Sequence, residues 1–121
     1  MRISAILINV CDMDKAIDFY SNKLGFAVQS RKLYPQMVRL EHDHIALILF
    51  LVPRPVTFDY PKVAQTLLNF ETRDLVAGIR ELKSRGVEFI HGSPQPCPEG
   101  VYAAFRDPFG NVHELLEARS L

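Results

Sequence analysis

The sequence is short of the features that most readily place a protein. It has two cysteines, Cys11 and Cys97, far apart and outside any C-x-x-C pattern, which speaks against a disulfide framework and against a zinc knuckle. Both are read as plain thiols serving as small buried hydrophobes. There is no excess of charge, since 14 basic and 14 acidic side chains cancel over 121 residues. No long-range field therefore draws the chain toward nucleic acid, an anionic membrane or a polycationic drug, and a partner must be found through a local site. No apolar run approaches the ~20 residues that cross a bilayer. The opening "MRISAILINVCDMD" has one basic residue and an apolar run too short for a secretory core. The expected location is cytoplasmic, with neither nucleic acid nor membrane as a partner.

What is present is the composition of an ordinary folded domain, 48% hydrophobic and 23% charged, enough for one sizeable core. "RISAILINV" (2–10) reads as a buried strand that stops at Cys11-Asp12. Asp12 is a good N-cap and Asp14 suits the positive end of a helix dipole. Met13, Ala16, Ile17, Tyr20 and Leu24 then recur at helical spacing until Gly25. Three strand-like runs follow, 26–32, 36–41 and 44–52. The stretch 53–62, "PRPVTFDYPK", holds three prolines and reads as a connector.

The order then repeats. A strand is expected within "VAQTLLNFET" (63–72), a helix capped by Asp74 and ended by Gly86, and strands in "VEFI", "VYAAFR" and "NVHELLEA". Asp12 maps to Asp74 and Gly25 to Gly86. The pattern predicts an α+β domain over 1–121, made of two βαβββ units at about 2–52 and 63–118 in pseudo-twofold arrangement.

Two stretches carry a family resemblance. "DMDKAIDFYSNKLGF" (12–26) and "FRDPFGNVHELLE" (105–117) resemble the signature stretches of the vicinal oxygen chelate superfamily, which groups glyoxalases, bleomycin-resistance proteins and extradiol dioxygenases. The resemblance implies curved mixed sheets around a cleft, commonly in a homodimer. In metal-dependent members it also implies one divalent ion on four side chains, from the first and last strands of each half. Carried over, those positions are Ala5, Leu67 (or Thr66 at the alternative offset), the apolar strand near Leu47 to Leu49, and Glu114. Only Glu114 is a ligand, and one carboxylate cannot hold a transition metal selectively. Replacement donors would have to come from His42, His44, Gln65 or His91. His42 and His44 bracket an expected turn, His91 is expected to be exposed, and His113 should point away from Glu114.

The expectation is therefore a protein without a cofactor that binds a small apolar or aromatic molecule in its cleft, as a homodimer. The alternative is a lyase, isomerase or dioxygenase with a divalent metal partly held by Glu114. A buried carboxylate needs an answering group, so Glu114 is expected to contact ligand, water or a nearby donor. Asn9 and Asn69 are the candidate polar groups beside it, and Tyr102 and Phe50 complete the expected ligand-binding set. Tyr34, Phe58, Tyr60 and Phe105 are further aromatics near the expected cleft, Phe58 and Tyr60 packing from the connector. "GSPQPCPEG" (92–100) reads as a stiff extended loop. Arg39 could receive an anionic ligand, although Glu41 on the same strand face is its expected partner.

Overall fold

Alternation along the first strand sets the layering of the N-terminal half. β1 (Ala5–Val10) buries Ile8 and Val10 and leaves Leu7 and Asn9 exposed, so the sheet has one covered and one open face. The computed structural model describes residues 1–55, 57, 59–62 and 66–119. It divides into two compact units, Met1–Thr57 and Phe58–Leu121.

In the first unit, Asp12 starts helix α1 (Met13–Ile17) with an extended backbone and accepts the Lys15 N–H at 3.1 Å, satisfying one of the helix's free donors. The helix continues as a π-helical segment, Asp18–Lys23, and Leu24 N–H bonds the Phe19 carbonyl five residues back. This wider winding changes the predicted face. Met13, Ala16, Phe19 and Tyr20 are buried, while Ile17 and Leu24 are only half-buried. Gly25, at φ +93°, ends the run in the left-handed region that favours glycine.

The helix covers a four-stranded sheet in the order β1-β4-β3-β2, with β2 at Val28–Ser30, β3 at Met37–Leu40 and β4 at Ala46–Leu51. β1 and β4 run parallel, and β3 is antiparallel to both of its neighbours. Val38, Leu40, Leu47 and Leu49 join Ile8 and Val10 in the core.

The second unit repeats this path. β5 (Asn69–Glu71) is followed by α2 (Leu75–Ser84) and by β6 (Glu88–Phe89), β7 (Gln95–Cys97), β8 (Gly100–Arg106) and β9 (Val112–Ala118). The order is β5-β9-β8-β6, with β7 also on β8 and the first strand again parallel to the last. The α+β class and the repeated βαβββ path expected from the sequence are thus present, with β7 an added strand in the second unit. Asp74 caps α2 through the Ala77 N–H at 3.0 Å, and Glu117 on β9 accepts the Leu75 N–H at 2.9 Å. That charge-assisted bond pulls the Glu117 carboxyl below the usual range, with help from Arg119.

Two elements differ from expectation. The strand expected within 63–72 begins only at Asn69, because its register on β9 sets Asn69 opposite Glu114. Counting back, Thr66 would meet Asn111, which belongs to a turn rather than a strand. The Pro-rich stretch 92–100, expected as a loop, contributes β7. Gln95 pairs with Tyr102 and Pro96 with Val101, an edge position where proline's missing N–H does little harm.

Candidate functional site

The turn "DPFGN" aims Glu114. Asp107 is buried, and its Oδ1 accepts the backbone N–H of Phe109 at 2.9 Å and of Asn111 at 2.8 Å. Asn111 Nδ2 donates to Oδ2 at 2.7 Å, and Gly110 at φ +90° completes the reversal. The strand that leaves this turn alternates. His113 points into the core between Phe70 and Phe105, at ring distances of 5.2 and 5.6 Å. Burial lowers its pKa to about 4. Glu114 therefore emerges on the opposite, open face of the sheet.

Two donors meet it there. Tyr60 Oη donates to Glu114 Oε2 at 2.8 Å, and Asn69 Nδ2 donates to Oε1 at 3.3 Å. Partial burial raises the Tyr60 phenol above its ordinary value, and the bond to Glu114 raises it further, since ionisation would place two negative charges together. Tyr102, which pairs with Gln95 on β7 and Leu116 on β9, lies on the same face. His91 packs edge-on against both tyrosines, 6.0 Å from the Tyr60 ring and 5.4 Å from Tyr102. It is half-buried rather than exposed, because its Nδ1 accepts the Ala104 N–H at 3.0 Å. The imidazole proton is thereby fixed on Nε2, and Nδ1 is committed to the fold.

Three of the five expected ligand-binding residues, Glu114, Asn69 and Tyr102, thus share one face of the second unit. The other two, Asn9 and Phe50, are direct partners on β1 and β4 of the first unit. They belong to an open face formed by Leu7, Ile48, Met37 and Arg39, with Leu7 opposite Ile48 and Met37 opposite Phe50. Near the β2 edge this face sinks into a depression of ≈ 350 Å³ lined by Ser30, Lys32, Leu33, Met37, Arg39 and Ile48. The expected Arg39 partner is not there. Glu41 lies past the end of β3, and among the described residues neither Arg39 nor Lys32 is held in an ion pair.

Other expectations fall elsewhere. Phe105 is a core residue stacked between Phe70, Phe89 and His113. Tyr34 donates to Asp14 Oδ1 at 2.5 Å, which ties the 31–36 turn to α1 and raises the tyrosine's pKa. His42 and His44 are exposed in the β3–β4 turn. Cys11 and Cys97 are free, half-buried thiols. Phe58 and Gln65 lie outside the described residues.

The described residues around Glu114 do not fit a transition metal. Leu7 stands five residues before its helix cap, as Asn69 stands five before Asp74, so the partners of these two, Ile48 and Glu114, hold corresponding registers. Where one unit has a carboxylate, the other has an isoleucine. Glu114 has an amide and a phenol for neighbours, and among the described residues no three His, Cys, Asp or Glu side chains form a group that could hold an ion.

Comparison with known proteins decides the family. The model of the Glyoxalase/Bleomycin resistance protein/Dioxygenase superfamily matches residues 2–115. The chain belongs to that superfamily. Within it, the chain is similar to an uncharacterised Bacillus subtilis (strain 168) protein, YetH, with 27% identity over 119 residues, 96% of this chain and 98% of that one. Its fold matches TnmS3, described as an antibiotic binding protein from Streptomyces sp. CB03234. The TM-score is 0.75 at 25% identity, covering 98% of this chain and 97% of that one. A superfamily member from Sphaerobacter thermophilus DSM 20745 matches with a TM-score of 0.71 at 28% identity, over 95% of each chain.

Proposed function

We propose that this superfamily member binds a small, mainly apolar or aromatic molecule without a metal cofactor. The observation that carries the reading is the state of Glu114. Both of its oxygens are taken by Tyr60 and Asn69, and the positions that would complete a metal set hold Ala5, Leu67 and Ile48. The carboxylate is answered by the protein itself, as a half-buried charge must be. The likeness to an antibiotic binding protein supports a sequestering role, and the open apolar face of Leu7, Met37, Ile48 and Phe50 supplies the kind of surface such a ligand needs.

On the first unit's open face Asn9 orients the ligand in this reading, with Phe50 packing against it. The protein acts as a homodimer in the cytoplasm. Among the described residues no helix is long and apolar enough to cross a membrane.

The test combines metal analysis with a thermal-shift screen. Protein purified without chelator is expected to carry no stoichiometric transition metal and to gain stability from aromatic small molecules, since a ligand that binds only the folded state raises its melting temperature. Near one metal ion per chain, lost on Glu114→Ala, would instead defeat this reading and favour the metal-dependent lyase, isomerase or dioxygenase alternative.

A further inference from the structure

We infer that the depression on the first unit's open face receives an anionic group of the ligand, a carboxylate or sulfonate carried on an apolar body. The inference rests on the small-molecule reading above and sharpens it to a ligand class. Its apolar lining is Met37, Ile48 and Leu33, and its polar lining is Ser30, Lys32 and Arg39. Both charged groups in that lining are cations. Neither has an ion-pair partner among the described residues, although the whole chain is neutral.

The local geometry arranges these donors rather than scattering them. Ser30 and Arg39 are cross-strand partners on β2 and β3, which brings hydroxyl and guanidinium side by side. Ser30 Oγ accepts the Lys32 N–H at 3.3 Å, so its own hydrogen is left to donate elsewhere. The turn bearing Lys32 and Leu33 is fixed at two levels. Gln36 and Met37 both donate backbone N–H groups to the Leu33 carbonyl, at 2.9 and 3.1 Å, and Tyr34 is tied to Asp14. A fixed turn loses little freedom on binding.

The chemistry follows from complementarity. A guanidinium and an ammonium beside apolar side chains favour an amphiphilic anion over a neutral or cationic molecule of the same shape, because charge-assisted hydrogen bonds form without an acid in the lining to compete.

The experiment compares two fluorescent probes that share an aromatic body, anilinonaphthalene sulfonate and its uncharged counterpart N-phenylnaphthylamine, on the full chain. The sulfonate should bind about tenfold more tightly and lose that advantage as salt rises. Lys32→Gln with Arg39→Gln should remove the preference while leaving the circular dichroism unchanged. Equal binding of both probes, unaffected by the double substitution, would overturn the anionic inference and leave apolar binding standing. Binding of neither probe, with no small molecule stabilising the fold, would overturn the small-molecule reading and this inference with it. A change of oligomeric state in the double variant without a change in probe preference would assign the face to a second copy of the chain.

Discussion

Tyr60 donates its hydroxyl to Glu114 across 2.8 Å, joining residues 54 apart in the sequence. The bond links a turn near the start of the second unit to its last strand, and it gives Glu114 a neutral partner. Tyr60→Phe deletes one donor without changing shape. It should cost about 1.5–3 kcal/mol of stability, the usual net worth of a bond to a charged group, in denaturant titration. The same pair predicts alkaline behaviour. The phenol titrates higher in the folded chain than its ordinary 10.0, so the unfolded chain ionises first. The contribution is whole below pH 10 and is lost as pH rises beyond it. Tyr60→Phe should flatten that decline.

His113 sets the acid limb. Burial lowers its pKa from 6.5 to about 4, so the folded chain keeps the ring neutral while the unfolded chain takes up a proton. Its contribution is present above pH 6.5 and is lost progressively as pH falls toward 4, on the order of 3 kcal/mol in all. Stability measured across that window should fall steeply in the native protein and much less in His113→Phe, whatever the variant's stability at neutral pH.

Gly100 opens β8 at φ +151°, and a Cβ there would sit 2.2 Å from the Glu117 carbonyl oxygen. Backbone rather than a movable side chain blocks the space. Gly100→Ala should therefore destabilise the chain by about 2 kcal/mol or more, seen as a lower denaturation midpoint with an unchanged slope.

Much of the fold was legible because its signals are local. The Asp12 and Asp74 caps, the Gly25 and Gly86 stops and strand alternation each act within a few residues, and together they announced the repeat. Alternation also put His113 and Glu114 on opposite faces. What was not legible depends on distant partners. Nothing around Tyr60 in "TFDYPK" reveals that its hydroxyl meets Glu114. Nothing near His91 reveals the Ala104 N–H that draws its ring inward. The late start of β5 follows from its register against β9, and Arg39 lacks Glu41 because β3 ends one residue short of it. β7 was hidden for another reason, since three prolines signal a loop unless an edge position lets them pair.

The most direct test of metal-free binding is a thermal-shift titration with an aromatic ligand in excess chelator, repeated after a divalent transition metal is added. The account predicts the same saturable rise in melting temperature in both conditions. Stabilisation that appears only once metal is restored would contradict it.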